Sequence, residues 1–184
     1  MQEPTDLEYV KQVRDGNRHA FTGLMRRYQE RVYRIARRMV GNHEDADDIA
    51  QETFVKAYLA LGDFRNDSTF FTWLYRIAVN LSLNAIRRRQ IRAYLQESEL
   101  LARFLPGGEQ PDHVLEGLES EQRLQEAMNG LPEKQRTVFV LRFFEDLPYE
   151  EISEILKTSV GGLKANYHHA IRKIREQVSD VEQK

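Results

Sequence analysis

The sequence predicts an all-α protein built from two small helical domains that are joined by a linker. Apolar residues recur at spacings of three and four along most of the 184-residue chain, and the alternating pattern of β-strands is nearly absent. A segment rich in proline and glycine, residues 105–111, interrupts this helical pattern. We therefore expect a first domain over residues 1–92, a linker over residues 93–118 and a second domain over residues 119–184.

The composition narrows the classes of function. The formal net charge is −2, so any binding of nucleic acid must depend on local clusters of basic residues. The chain has no cysteine, which excludes disulfides and cysteine-ligated metals and fits a reducing compartment. No apolar run approaches the roughly 20 residues that a membrane-spanning helix needs, and the acidic N-terminus does not resemble a signal peptide. We expect a cytoplasmic protein.

Two helices open the first domain. Residues 6–13 predict a short helix that stops at Gly16, and a longer apolar stripe from Phe21 to Met39 ends at Gly41. The other faces of this second helix carry six arginines, which form a solvated surface or help to hold phosphate; the sequence leaves both readings open. These residues are Arg26, Arg27, Arg31, Arg34, Arg37 and Arg38.

The third helix, residues 44–61, begins with acidic residues that suit a helix N-terminus. Beyond its core stripe, a separate face is acidic and partly apolar, which favours docking onto a basic protein partner. This face consists of Asp48, Gln51, Glu52 and Val55. The alternative is a divalent-metal site for phosphodiester hydrolysis, although no histidine or lysine nearby completes a catalytic constellation.

The stretch from residue 64 to residue 92 combines a core stripe with a face that suits nucleic acid. Arginines can bind phosphate and amides can bind base edges, and both follow at helical spacing: Arg76, Asn80, Asn84, Arg87 and Arg88. Phe71 and Trp73 lie outside the stripe, where aromatic rings can stack on unpaired bases. Taken singly, these features also fit a solvated helix end and a packed tryptophan. Together they favour single-stranded nucleic acid.

The second domain ends in a helix-turn-helix pattern. Helical spacing runs from Leu118 to Met128, and Pro132 suits the start of a helix whose inner face carries Val138, Leu141 and Phe144. A short acidic helix over residues 149–156, a turn over residues 157–159 and a longer basic helix from Val160 then follow. Its outward side chains are Lys164, Asn166, His168, Arg172, Lys173 and Arg175.

Motifs for enzyme chemistry are absent from the sequence. His168 and His169 are adjacent, so their side chains point about 100° apart on a helix and do not form a metal pair. There is no glycine-rich phosphate loop and no serine or cysteine nucleophile motif. We expect no catalytic residue, no bound metal and no cofactor.

Four motifs in this order resemble the extracytoplasmic-function (ECF) sigma factors, which are small sigma subunits of bacterial RNA polymerase. The motifs are residues 45–54 (DADDIAQETF), 64–65 (FR), 71–80 (FTWLYRIAVN) and the Leu-Pro and Arg-Thr-Val of residues 131–132 and 136–138. The resemblance implies a sigma-2 domain that docks on the clamp helices of the β′ subunit and melts the −10 promoter element. It also implies a helix-turn-helix sigma-4 domain that reads the −35 element. The expected partners are core RNA polymerase, promoter DNA and an anti-sigma factor.

The resemblance also assigns roles by position. The segment that binds core polymerase corresponds to Asp48, Gln51, Glu52 and Phe54. The −10 strand would contact the loop of residues 64–69 and the fourth helix, through Phe64, Arg65, Ser68, Trp73, Arg76, Asn80, Asn84, Arg87 and Arg88. The −35 duplex would contact Lys164, Asn166, His168, His169 and Arg172.

One segment departs from the family pattern. Residues 161–166 read Gly-Gly-Leu-Lys-Ala-Asn, where the family more commonly has Gly-Thr-Val-Lys-Ser-Arg. The loss of a hydroxyl and a guanidinium predicts altered contacts with the −35 duplex and a shifted promoter preference.

Two rival functions remain open at this point. A stand-alone helix-turn-helix regulator would bind operator duplex without polymerase, as a dimer on a half-site repeat, but leaves the first domain unexplained. A metal-dependent nuclease would use the carboxylates of Asp45, Asp47, Asp48 and Glu52.

Overall fold

A computed structural model describes the backbone of residues 3–101 and 116–179 and the side chains of residues 3–94 and 122–178. Within these ranges the protein forms helices and no strand, which confirms the all-α prediction. No helix in the described ranges has the length and apolar character that crossing a bilayer requires. The helices are α1 (Asp6–Arg14), α2 (Phe21–Val40), α3 (His43–Ala60), α4 (Phe70–Leu101), α5 (Glu116–Asn129), α6 (Glu133–Phe139), α7 (Tyr149–Leu156) and α8 (Val160–Ser179).

Local sequence signals fix several helix ends in the first domain. The Thr5 hydroxyl accepts a hydrogen bond from the Glu8 N–H, and the Glu8 carboxylate accepts one from the Thr5 N–H, which forms a capping box on α1. Gly41 ends α2 in the left-handed conformation, at φ 88°, which glycine adopts without a steric penalty. Asn42 then caps α3 by accepting a hydrogen bond from the Asp45 N–H, 2.8 Å away. Two adjacent residues therefore set the turn between α2 and α3.

The core of the first domain lies where α2, α3 and α4 pack together. Each helix buries the apolar stripe that its spacing predicts, and α1 adds Val10 at the edge. Met25 is the exception, because it belongs to the predicted stripe of α2 but is exposed. The core side chains without exposed surface include Leu24, Ile35, Met39, Ala46, Ala57, Leu74 and Ala78.

The second domain packs α8 against α5, α6 and α7, with Ile152 and Leu163 at its centre. The sequence predicts one continuous helix with Val138, Leu141 and Phe144 on its inner face. In the structure the α-helical part, α6, ends at Phe139, and a π-helical turn follows over Val140–Phe144. A π turn adds a residue to the helical repeat and so shifts the faces that follow it. Val138 and Leu141 are buried as predicted, whereas Phe144 is half-buried and turns toward the first domain.

The two domains are in contact in this structure. Helix α4 packs against α7, and α2 packs against the π turn. The guanidinium of Arg38 in α2 lies over the ring of Phe144 in the π turn, 3.5 Å from its centroid. The fold therefore brings the two predicted DNA-reading domains side by side.

The helices extend into both ends of the predicted linker. Helix α4 continues to Leu101, beyond the expected domain end at residue 92, and α5 begins at Glu116, before the expected start at residue 119. The Pro/Gly-rich segment of residues 105–111 lies outside the described residues. Hydrophobic side chains after residue 92 gave the signal for helical extension, because they are too apolar for a fully solvated tether.

Candidate protein and nucleic-acid interfaces

The outer face of α3 is exposed and carries both charge and apolar surface. Asp48, Gln51 and Glu52 are exposed, as the sequence predicts for a docking face. Two neighbouring apolar side chains are also exposed, Val55 by 57% and Leu59 by 76%. Apolar surface of this kind on a helix, next to charged groups, suits contact with another protein. We name the surface formed by Asp48, Gln51, Glu52, Val55 and Leu59 the α3 face.

Phe54 does not belong to the α3 face. Its side chain is only 5% exposed and packs edge-on against Phe21 of α2, with ring centroids 6.4 Å apart. The expectation that Phe54 contacts a partner directly is therefore wrong for its side chain, which positions α3 from inside. Sequence reasoning missed Leu59, although the spacing of Val55 and Leu59, four residues apart and outside the core stripe, gave a signal.

The acidic start of α3 serves the helix itself. The Asp45 carboxylate accepts a hydrogen bond from the Asn42 side-chain amide at 2.7 Å, next to the Asn42 cap. Negative charge at this end also complements the helix dipole. Among the described residues, no group of three or more histidine, aspartate or glutamate side chains is placed to hold a metal ion.

Contacts with the core and with α1 hold the start of the loop of residues 64–69 in place. The Phe64 side chain is 3% exposed and packs against Phe70 and Trp73, with ring centroids 5.9 and 5.1 Å away. Arg14 of α1 donates hydrogen bonds to the main-chain oxygens of Leu61 and Phe64. Phe64 was predicted as a DNA contact, but its side chain is buried in the core. There it anchors the loop.

A cavity of about 480 Å³ opens beside this loop. Its lining offers an aromatic ring for an unstacked base and guanidinium groups for a phosphate, while the carboxylates of Asp63 and Asp67 could accept hydrogen bonds from a base but not bind a phosphate. From the first domain it is lined by Asp63, Phe64, Arg65, Asp67, Ser68, Trp73 and Arg76.

Phe71 and Trp73, which the sequence places outside the core stripe, are both half-buried in the structure. Trp73 is half-buried against Phe64 and Phe70, yet it still lines the cavity. The ring of Phe71 lies 4.0 Å from that of Tyr75, and the guanidinium of Arg31 lies 4.7 Å from the Phe71 centroid. Phe71 is thus half-buried among other side chains, as Trp73 is, and its use as a stacking platform stays a prediction.

The outward residues of α4 lie along one side of the helix. Asn80, Asn84, Arg87 and Arg88 are exposed, and Arg76 is half-buried. Two of them already have partners: the Arg87 guanidinium binds the Glu133 carboxylate, with Nη2 2.9 Å from Oε2, and Arg76 Nη2 donates to the Glu154 main-chain oxygen at 3.1 Å. The hydrogen bond and charge of Glu133 raise the pKa of Arg87, which stays protonated.

The helix-turn-helix consists of α7 and α8. Lys157 makes the turn in the left-handed conformation, at φ 53°, and the Ser159 hydroxyl accepts a hydrogen bond from the Gly162 N–H at 3.3 Å. Leu163 is fully buried and fixes the rotation of α8. The exposed polar side chains on α8 include Lys164, His168, His169 and Arg172.

Asn166 differs from the other residues predicted on this surface. Its side-chain amide donates to the Gly162 main-chain oxygen, 2.8 Å away, and the residue is half-buried. The amide nitrogen is therefore occupied by its own helix.

Comparison with known proteins agrees with this arrangement of two domains. Residues 24–92 match the model of sigma-70 region 2, and residues 121–174 match the model of sigma-70 region 4. The chain is 35% identical to the ECF RNA polymerase sigma factor SigW of Bacillus subtilis, over 94% of this chain and 96% of that protein. It is 34% identical to the ECF RNA polymerase sigma-E factor of Escherichia coli K12, over 96% of both chains.

Solved structures share the fold. The structure of CnrH in complex with the cytosolic domain of CnrY has a TM-score of 0.69 and 25% identity, and covers 94% of this chain and 96% of that chain. The sigma factor RpoE of Bartonella quintana, in complex with the anti-sigma factor NepR, has a TM-score of 0.67 at 22% identity. The match covers 86% of this chain and 96% of that chain. This second likeness concerns the fold alone.

The two matched regions and the helix-turn-helix define a sigma factor of the sigma-70 class, a non-catalytic specificity subunit that directs RNA polymerase to promoters. Full-length relatives above 30% identity narrow the class further. The chain belongs to the extracytoplasmic-function (ECF) sigma factor family.

Proposed function

We propose a division of labour among three surfaces of this ECF sigma factor. The α3 face binds the clamp helices of the β′ subunit of core polymerase. The loop of residues 64–69 and the outer side of α4 bind the melted −10 strand, and the exposed side of α8 reads the −35 duplex. The observation that carries this proposal is the separation of an acidic and apolar surface on α3 from the cavity that Arg65, Ser68 and Trp73 line.

The chemistry of each surface supports its assigned partner. The acidic and apolar α3 face would repel nucleic acid but complements a basic protein surface. The cavity beside the loop offers a ring for base stacking, worth roughly 1–3 kcal/mol per base, which is comparable with the few kcal/mol needed to flip a base out of a duplex. Exposed lysine, arginine and histidine on α8 fit a major groove and its phosphates.

The proposal includes the domain limits and the cellular setting. Sigma-2 is proposed to end within α4 near residue 92 and sigma-4 to begin with α5, and the matched regions of residues 24–92 and 121–174 support both limits. Because the protein works with RNA polymerase on DNA, we place it in the cytoplasm. We also propose that an anti-sigma factor binds it, as the ECF family implies; CnrH, which is 25% identical to this chain, forms a complex with the cytosolic domain of CnrY.

The test measures association with core polymerase and promoter-specific transcription in the same set of variants. Asn80→Ala should impair run-off transcription from a cognate promoter while co-purification with core polymerase survives, and exposed Gln90→Ala on the same helix is the matched control. The double variant of Gln51→Ala and Glu52→Ala should lose co-purification. Loss of polymerase binding in Asn80→Ala, or its retention in the double variant, would contradict the assignment. If the wild-type protein bound duplex operator as a dimer and ignored polymerase, the regulator reading would replace it.

A further inference from the structure

Helix α1 ends in an arginine that binds the main chain where the loop of residues 64–69 begins. A short 3₁₀ turn, Leu61–Asp63, leads from α3 into this loop. The Nε and Nη2 atoms of Arg14 lie 3.2 and 3.0 Å from the main-chain oxygen of Leu61, and Nη2 also donates to the oxygens of Gly62, at 3.4 Å, and Phe64. One guanidinium therefore holds three carbonyl oxygens, as basic side chains do at the C-terminal ends of helices.

The middle of the loop has no comparable support. No hydrogen bond joins residues 65–68 to any other residue that the structure describes. At the far end, the Thr69 hydroxyl accepts a hydrogen bond from the Thr72 N–H at 3.1 Å and so caps α4. The loop is thus held at its start by Arg14 and the buried ring of Phe64, and at its end by Thr69.

Packing gives the loop little further support, because two cavities adjoin it. The first, of about 480 Å³, is lined by Arg65, Asp67 and Trp73. The second, of about 600 Å³, lies between Asn66 and the first turn of α1, where Leu7 lines it. Since the loop has open space beside it, its position depends on the bonds at its two ends.

Helix α1 is itself held firmly on α2. The Asp6 carboxylate, in the first turn of α1, accepts a hydrogen bond from the Tyr28 hydroxyl at 2.5 Å. The ring of Tyr9 lies so close to Gly23 that an added Cβ would come within 2.3 Å of it. These contacts fix α1 on the domain and present Arg14, in its last turn, at a defined place. A positioning group needs support of this kind.

The contact lies beyond what the family match and the helical spacing describe. Helix α1 precedes residue 24, where the match with sigma-70 region 2 begins. Arg14 is separated from its carbonyl partners by 47 to 50 residues of chain, so no local pattern connects them. Arg14 does not line the cavity beside Trp73 either, and any effect on that cavity must pass through the main chain of the loop.

We propose that Arg14 is a positioning residue for −10 recognition, which holds the loop of residues 64–69 where an unstacked base fits against Trp73. The inference rests on the proposed assignment of this loop to the −10 strand. Without the three hydrogen bonds, the loop moves into the neighbouring space and fewer molecules present a cavity of the right shape. Strand binding then weakens although every residue that contacts the strand is still present.

The first measurement reports the position of the loop in the free, full-length chain. Trp73 is the only tryptophan in the sequence, and its ring centroid lies 5.1 Å from that of Phe64. Arg14→Met removes the donors and keeps the apolar stem, whereas Arg14→Lys keeps the charge but lacks the planar fork that spans several oxygens. We expect red-shifted emission and stronger quenching by acrylamide in Arg14→Met, and a smaller change in Arg14→Lys.

The matched control is Lys11→Met, at an exposed position three residues earlier in α1. It removes the same charge from the same helix and should leave the emission of Trp73 unchanged. Circular dichroism checks that each variant is folded, and Arg14→Lys tests the same role if the methionine variant does not fold.

The second measurement uses the holoenzyme formed with bacterial core polymerase. One probe is a fluorescent single strand copied from the −10 region of a promoter that run-off transcription identifies, and the other is the −35 duplex of the same promoter. Arg14→Met should bind the single strand about tenfold more weakly if the competent position of the loop falls to about a tenth of the population. Its association with core polymerase and its affinity for the −35 duplex should match those of Lys11→Met and the wild type.

Asn80→Ala, measured in parallel, separates failure of this inference from failure of the proposed function. If Arg14→Met left strand binding unchanged while Asn80→Ala weakened it, the strand assignment would stand and the positioning role would be wrong. Equal losses of core association, −35 binding and strand binding in Arg14→Met would show that Arg14 only stabilises the fold. If neither variant weakened strand binding, although the emission of Trp73 shifted in Arg14→Met, the assignment of the loop and α4 to the −10 strand would itself fail.

Discussion

The Arg136 guanidinium, in a residue that is 4% exposed, donates from Nη1 to the main-chain oxygen of Met39 in the other domain, 3.2 Å away. Its Nη2 group donates to the Asn129 main-chain oxygen, and its Nε atom is buried without a hydrogen-bond partner among the described residues. Burial lowers the pKa of Arg136, and the nearby charge of Arg89 acts in the same direction. A buried cation therefore caps the C-terminal ends of α2 and α5 across the domain boundary.

Arg136→Met should lower the free energy of unfolding by about 2 kcal/mol. Two hydrogen bonds from a charged donor would be lost, and the buried bond to the Met39 oxygen would have no replacement, although the removal of the buried charge offsets part of the loss. Urea unfolding followed by circular dichroism measures the change. Arg26→Met, at an exposed position of α2, is the control and should stay within about 0.5 kcal/mol of the wild type. A neutral effect of Arg136→Met would show that the contact with Met39 contributes nothing to stability.

Leu59→Ser should weaken binding to core polymerase while leaving the fold stable. Leu59 is 76% exposed on the α3 face, so its replacement removes apolar contact area from a partner and not from the core. We expect a loss of about 1–3 kcal/mol, or roughly tenfold or more in Kd, measured by fluorescence titration with core polymerase. Leu7→Ser, at an exposed leucine of α1, provides the comparison. Equal losses in the two variants would argue against a specific role of the α3 face.

Gly41→Ala should destabilise the first domain. Gly41 has φ 88°, where a side chain is strained by roughly 1–2 kcal/mol, and an added Cβ would approach the Asn129 side chain of the second domain to 3.3 Å. The change in free energy of unfolding should therefore be at least about 1 kcal/mol. Gly62→Ala is the matched control, because Gly62 has no left-handed φ and no atom within 4 Å of an added Cβ. If both variants unfolded alike, conformational strain at Gly41 would not be the cause.

The hydroxyl of Tyr28 makes the free energy of unfolding depend on pH in the alkaline range. Burial, and then the hydrogen bond that its hydroxyl donates to Asp6, raise the pKa of Tyr28 above its unfolded value of about 10. The folded state therefore keeps this proton when the unfolded state has lost it, so the contribution is complete below pH 10 and declines as pH rises above it. Each such group contributes a slope of up to about 1.4 kcal/mol per pH unit.

Tyr28→Phe isolates this effect from the other groups that titrate at high pH. The variant should lose stability less steeply than the wild type above pH 10, as measured by urea unfolding at a series of pH values. Tyr94→Phe removes a hydroxyl from an exposed tyrosine and should leave the slope unchanged. Identical slopes for Tyr28→Phe and the wild type would contradict the raised pKa.

The helices could be predicted from the sequence because the spacing of apolar residues along one helix is a local pattern. Contacts between residues that lie far apart in the chain could not be predicted. Phe54 could have been placed in the core, since it lies three residues before Ala57 and seven before Leu61, which are both buried. The burial of Tyr75 could not be predicted in this way, because its side chain lies outside the core stripe and its hydroxyl donates to Glu145, 70 residues further along the chain. Helical periodicity describes the face that a helix buries in its own domain, but not a second face that another domain covers.

Arg172 and His168 should affect −35 binding in different ways. Arg172 is exposed beyond the first turns of α8, where a guanidinium is suited to a phosphate contact, and its one ion pair among the described residues is with Glu176 of the same helix, 3.8 Å away and exposed. Arg172→Ala should weaken binding to all duplexes alike and reduce the slope of log K against log salt by about 0.9. His168→Ala should instead reduce discrimination among −35 sequences by about 1–3 kcal/mol at one base pair, with little change in the salt slope. Fluorescence anisotropy of the polymerase holoenzyme on −35 variants at several salt concentrations separates the two effects. If His168→Ala changed only the salt slope, the side chain would contact phosphate, and base reading would have to come from other residues of α8.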